Sequence, residues 1–257
     1  MPCRSASHRS ATLQLLSAMV CLAATVAVAA CSDGTTSPGT AHELDGPAVA
    51  VGNGTARVYV LERGDAPETI GIELSEAALT GLPDSMAMWQ LPLPTSVSVP
   101  PWDHAMLNWN PQGHPPPEIY GVAHFDFHFY TIPVDAQMAI PAGPDTETVA
   151  PQYVPLDYAS EVFAVPAMGV HWEDTLATEF HGQPFDRTFI YGFYQRQMVF
   201  VEPMVTLAYL QSHPDASMSV KQPAAYQLPG RYPRTYGVHW DGAQQTVRVS
   251  LDSLTAE

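Results

Sequence analysis

Histidine and carboxylate side chains alternate along His124-Phe125-Asp126-Phe127-His128-Phe129-Tyr130. Successive side chains of a β-strand point to opposite faces, so His124, Asp126 and His128 share one face and the phenylalanines the other. Imidazole and carboxylate are donors that zinc and other divalent transition metals accept. Residues two apart on a strand have Cα atoms roughly 6.6 Å apart and can converge on one ion, whereas residues four apart are separated by roughly 13 Å. A regular strand therefore favours Asp126 with one histidine, and only a bulge or strong curvature would bring His124 and His128 together. A catalytic metal centre draws its ligands from several elements, and His171 in Met168-Gly169-Val170-His171-Trp172 and Glu202 in Phe200-Val201-Glu202-Pro203-Met204 are the natural completions. Glu202 lies among apolar neighbours, Met198 and Phe200, where a carboxylate must be paired, metal-bound or protonated. The rival reading makes the same residues an exposed polar strand face, or histidines satisfied by backbone hydrogen bonds. His181 reads as a loop residue, and His239, in a second Gly-Val-His-Trp, as core-edge packing.

Other chemistries lack their signatures. There is no GxSxG elbow, no P-loop and no HExxH helix, and Gly52-Asn53-Gly54 lacks the third glycine of a dinucleotide fingerprint. Ten Lys and Arg against 26 Asp and Glu give a net charge of −16, with Lys221 the single lysine. Such a chain offers no cationic surface to a nucleic-acid backbone.

The first thirty residues read as a targeting segment. Arg4 and Arg9 precede a run of apolar and small residues from Leu13 to Ala30, which ends at Val28-Ala29-Ala30-Cys31. This is a signal-peptide layout with a small-residue cleavage site, and the cysteine context resembles a bacterial lipobox. The resemblance implies that Cys31 is diacylated and becomes the mature N-terminus, a stable anchor that holds the protein on a membrane without spanning it. Ser32 follows, and in the sorting rule of two-membrane bacteria the absence of Asp at that position favours the outer membrane. Removing residues 1 to 30 takes away Arg4, Arg9, Cys3 and Cys21 and no acid, so the charge moves to −18 and Cys31 alone remains. An intramolecular disulfide, a cysteine nucleophile and a thiolate metal site are then excluded.

The elements that must position the site are short. Proline makes up 25 of 257 residues, and runs of Val, Ile, Tyr and Phe recur between Pro and Gly punctuation. That pattern predicts a mainly β, β-rich α+β fold: a single domain of antiparallel sheets, sandwich or barrel-like, with few short helices and long Pro-rich loops. Residues 31–55 read as a flexible tether and 56–257 as the domain. Strands are expected at 57–61 and 69–74 around an Arg63-Gly64-Asp65 turn, at 122–130, at 188–194 hairpinned to 198–201, and at 246–251. A capped helical turn is expected at 75–79, an irregular loop packed on Trp102 and Trp109 at 92–117, and the best helix at 203–211.

Taken together, Leu107-Asn108-Trp109-Asn110-Pro111-Gln112-Gly113-His114, the His124–Tyr130 run, Met168-Gly169-Val170-His171-Trp172, Phe189-Ile190-Tyr191-Gly192-Phe193-Tyr194 and Glu202-Pro203-Met204-Val205-Thr206 resemble a bacterial family of secreted proteins and lipoproteins carrying a domain of unknown function. The resemblance implies export and a shared site rich in His, Asp and Glu, and assigns no reaction. An Asp-Gly turn would be expected where Tyr194-Gln195-Arg196-Gln197 stands.

The reading that follows is an extracytoplasmic, lipid-anchored protein with a divalent-metal site built from His124, Asp126, His128, His171 and Glu202. If it is an enzyme, the metal activates a water or polarises a carbonyl on a small or carbohydrate-like substrate. The alternative is a non-catalytic ligand-binding or structural lipoprotein in which Trp102, Trp109, Trp172 and Trp240 form a groove or an interface between copies of the chain.

Overall fold

A computed structural model describes residues 40–257. The expected signal segment, Cys31 and the first part of the expected tether lie outside the described residues. Eighteen strands follow in chain order among them. The first seven are β1 (Ala41–Asp45), β2 (Val49–Val51), β3 (Gly54–Arg63), β4 (Ala66–Ser75), β5 (Ala87–Pro92), β6 (His104–Asn110) and β7 (His124–Tyr130). The middle of the chain carries β8 (Gly143–Pro144), β9 (Tyr158–Ala159), β10 (Phe163–Ala164), β11 (Val170–Asp174), β12 (Arg187–Tyr194) and β13 (Gln197–Thr206). The last are β14 (Asp215–Ser219), β15 (Arg231–Tyr232), β16 (Thr235–Asp241), β17 (Thr246–Asp252) and β18 (Thr255–Ala256). The described helices are one turn or little more: α1 (Pro117–Tyr120), α2 (Val134–Met138) and α3 (Leu207–Gln211). None is long and apolar enough to cross a membrane.

Two antiparallel sheets carry the fold. One runs β1-β3-β4-β17-β16-β14, with β2 also on β3; the other runs β5-β6-β7-β13-β12-β11-β9. Neither closes into a barrel. Their inner faces share one core: Val58, Val60, Ile70, Ile72, Val247 and Val249 from the first meet Leu107, Phe125, Phe127, Phe129, Tyr191 and Val201 from the second. The fold is therefore a mainly β sandwich, and every second residue of β7 is committed to its interior.

Where the chain departs from expectation, a pairing partner explains it. Residues 41–51 form β1 and β2, not tether, because Glu43 pairs with Arg248 at 2.7 Å and Asp45 with Arg57 at 2.8 Å, fastening the edge. Within 92–117, expected as an irregular loop, lies β6, buried throughout and paired on both sides, its alternation Ala105, Leu107, Trp109 obscured by the prolines around it. The expected helix at 203–211 shrinks to α3. Strand β13 continues through Pro203 to Thr206, and its pairing with β7 lapses at Glu202 and Pro203, where proline has no N–H to give. Thr206 then accepts the Tyr209 N–H at 3.2 Å and starts the helix. The β12–β13 hairpin forms without Asp-Gly: Gln195 and Arg196 both take positive φ, +49° and +72°, and the Gln195 N–H donates to Asp145 at 2.7 Å. The tryptophans form no groove. Trp102 and Trp109 are buried in the sandwich core, Trp172 packs against it, and Trp240 stacks on His213.

Phe127, fully buried at the centre of β7, should dominate local stability. Phe127→Ala is expected to cost about 3–5 kcal/mol in urea unfolding; a loss below about 1 kcal/mol would contradict this packing.

Candidate metal centre

Because the phenylalanines of β7 fill the sandwich, His124, Asp126 and His128 must face outward from the second sheet. That outer face is not solvated. His124 and His128 are 0 % exposed and Asp126 4 %, so the reading as an exposed polar face is excluded. Loops between β6 and β7 and after β11 cover them: Tyr120 packs against Phe180 and Phe185, and Phe185 lies edge-on to His124, with ring centres 5.5 Å apart. Tyr130, Met106, Met204 and Phe200 complete a second, smaller apolar cluster around the polar groups.

The polar residues fall into two sets, each with ligand atoms within 4.8 Å of one another: His114, His124 and Asp126, and His128, His171 and Glu202. The five residues expected from sequence are thus brought to one sheet face but divided, with His124 and His128 in different sets, as the roughly 13 Å span of a regular strand requires.

In the first set every atom not facing the centre is tied down. His124 Nδ1 donates to the Val122 carbonyl at 2.7 Å and His114 Nδ1 to the Pro115 carbonyl at 2.8 Å. Asp126 Oδ2 accepts from the Asn110 amide at 2.6 Å. This is the outer hydrogen bonding that orients metal ligands. With Nδ1 committed as donor, His124 Nε2 faces Asp126 Oδ1 at 3.1 Å, and two lone pairs at that distance repel unless a proton or a metal cation lies between them. Burial alone would raise the Asp126 carboxyl, but the hydrogen bond and charge of His124 overcome it and hold the group below the usual range.

The second set spans three strands. Glu202 reaches His128 Nε2 at 3.5 Å and His171 Nε2 at 3.4 Å, both longer than good hydrogen bonds, and its Oε2 has no hydrogen-bond partner. His171 approaches across Gly192, its neighbour on β12. A Cβ on Gly192 would lie 2.1 Å from the Phe200 ring, which packs against both His128 and His171 at 4.8 and 5.1 Å between ring centres. Burial pushes His128 down to about 3 and His171 to about 4, and it raises Glu202 well above the ordinary carboxylate range, helped by the charges of Asp126 and Glu173. Glu173, next along the same face of β11 and in contact with the Tyr120 hydroxyl, is raised to about 7 by burial and by Glu161 and Glu179.

Three participants escaped the reading from sequence. His114 sits in a Pro-rich loop with no strand alternation to flag it, placed by a left-handed Gly113 (φ +69°). Asn108 and Asn110 stand opposite Asp126 and His124 on β6 and would have been visible had 104–110 been read as a strand. His181 and His239 lie apart from both sets, on the Thr175 carbonyl at 3.1 Å and on Asp215 at 2.6 Å.

Residues 63–109 match the family described as TTHB210-like, Hypothetical protein TTHB210. The matched stretch includes β4, β5 and most of β6 and ends before His114. No curated protein and no solved structure matches the chain.

The buried histidines set a pH signature for the metal-free protein. Their folded values lie below the unfolded value of about 6.5, so the stability they contribute is present above pH 6.5 and is lost as pH falls toward 4 and 3. Glu173 works in the opposite sense, its contribution fading as pH rises through 7. Relative to wild type, a His128→Gln/His171→Gln variant should gain stability between pH 6.5 and 4 in thermal melts with chelator. A difference between the two proteins that does not change with pH would contradict neutral burial of these rings.

Proposed function

We propose that this protein binds a divalent transition-metal ion, zinc being the simplest candidate, on the outer face of β7, and that it does so outside the cytoplasm while anchored through a lipid on Cys31. One observation carries the metal reading: His114, His124 and Asp126 each bring a ligand atom within 4.8 Å of the other two, while His114 Nδ1, His124 Nδ1 and Asp126 Oδ2 are held by Pro115, Val122 and Asn110. Ligand sets with each donor oriented by an outer hydrogen bond are characteristic of metal centres.

Two histidines and one carboxylate leave a coordination position open, as catalytic zinc and non-haem iron sites do. Bound there, the metal would lower the pKa of a water or polarise a carbonyl. The complete burial of His124 and His128 restricts access to small substrates, and half-buried His114 lies on the side nearest solvent. The anchoring half of the proposal rests on the Val28-Ala29-Ala30-Cys31 sequence and on the resemblance to exported bacterial lipoproteins. An acidic chain held at a surface also concentrates cations around itself.

A single comparison tests both halves. Untagged protein extracted from membranes should carry bound transition metal by elemental analysis. Asp126→Ala should lose most of it, and Cys31→Ala should move the protein to the soluble fraction with metal content unchanged. Wild-type protein without metal after incubation with zinc would end the metal reading, and membrane retention of Cys31→Ala would end the lipid anchor.

A further inference from the structure

The two ligand sets are not independent. Asp126 and His128 are two residues apart on the same face of β7, so their Cα atoms are separated by roughly 6.6 Å. Glu202 stands on β13, beside β7 in the sheet, and reaches back to His128.

Between them lies an unmet demand for hydrogen bonds. Asn108 is 0 % exposed and directly opposite Asp126 on β6, and neither its Nδ2 nor its Oδ1 has a partner. Its strand neighbours on the same face, Met106 and Asn110, stand opposite His128 and His124, so the carboxamide sits level with Asp126, between the two histidines of β7 that belong to different sets. A buried amide with both ends unpaired costs several kcal/mol on the order of the penalty for apolar transfer, and native proteins rarely leave one so. Asp126 Oδ1 has only His124 Nε2 before it, at 3.1 Å, and Glu202 Oε2, in the other set, is buried without a hydrogen-bond partner.

We propose that the two sets form one binuclear metal centre, with a hydroxide bridging the ions beside the Asn108 carboxamide. This rests on the metal reading above and adds to it the number of ions and the bridging ligand. A bridging hydroxide keeps one lone pair to accept from Asn108 Nδ2, and its O–H donates to Asn108 Oδ1, which answers both unpaired ends at once. Two divalent ions held by four neutral imidazoles and two carboxylates carry two positive charges in excess, and a bridging hydroxide lowers that excess in a site that excludes bulk water. Paired metals about 3.5–4 Å apart act on substrates through such a bridge.

The test is a Cu(II) titration of untagged, chelator-stripped wild-type protein, followed by elemental analysis and electron paramagnetic resonance. Two ions per chain at saturation are expected, with the spectrum of half-loaded protein giving way to a magnetically coupled, broadened signal as the second ion enters. One ion per chain at saturation, or two whose signals stay uncoupled, would overturn the binuclear centre and leave a mononuclear site standing. No bound ion at all would overturn the metal reading as well. The half-loaded wild type serves as its own uncoupled reference, so the result does not depend on a variant that fails to fold. Azide, added to the Cu(II)-loaded protein as a probe of the bridging position and followed by its charge-transfer absorption, should bind roughly tenfold more weakly to Asn108→Ala, the loss of about one hydrogen bond to an anion. Unchanged azide affinity in a variant that still takes two ions would overturn the part given to Asn108.

Discussion

The alternation of side chains along one strand governs the rest of the structure. Phe125, Phe127 and Phe129 are each fully buried in the sandwich core, so the residues between them have no choice of direction. A slip of one residue in the register of β7 would place three polar groups in the hydrophobic core and three phenylalanines among the loops, a change no neighbouring strand could absorb. Once His124, Asp126 and His128 are turned to the outer face and that face is itself covered, each needs a partner, because buried polar groups without one are costly. Asn110 on β6 and the Val122 carbonyl on the approach to β7 supply partners to Asp126 and His124, while His128 has only Glu202 of β13 near it, at 3.5 Å.

Electrostatics then defines what the covered face lacks. Asp126 and Glu202 are both buried, and the ion-pair partners of Glu202, His128 and His171, are histidines that burial keeps from charging. Protonation of a carboxyl or entry of a cation relieves this, and the two act in opposition: protons compete with metal for the same nitrogen and oxygen atoms. The apolar wall of Phe200, Tyr130, Met106 and Met204 strengthens either outcome by excluding water.

Much of this could be read from the chain before any coordinates. The β-rich class followed from short β-branched and aromatic runs set between prolines, and the polar face of β7 from period-two alternation that needs no tertiary information. The separation of His124 from His128, with Asp126 grouped with only one of the two, followed from the rise of a strand. What escaped was set by long-range pairing. Proline at 203 suggested a helix start because its tolerance inside β13 depends on the lapse in pairing with β7, which is invisible locally. Strand β6 was hidden because Pro100, Pro101 and Pro111 flank it, although Ala105, Leu107 and Trp109 alternate with Met106, Asn108 and Asn110. His114 reaches its set through a loop whose path depends on a left-handed glycine and on the ring of Tyr120, 5.6 Å away, neither of which spacing reveals.

The central claim is that histidines of this covered sheet face bind metal, and X-ray absorption of the zinc-loaded protein addresses it most directly. The account predicts a first shell of nitrogen and oxygen near 2.0–2.1 Å, with the outer-shell scattering of imidazole rings and no sulfur at about 2.3 Å. An all-oxygen shell without imidazole scattering would place the metal on surface carboxylates and contradict it.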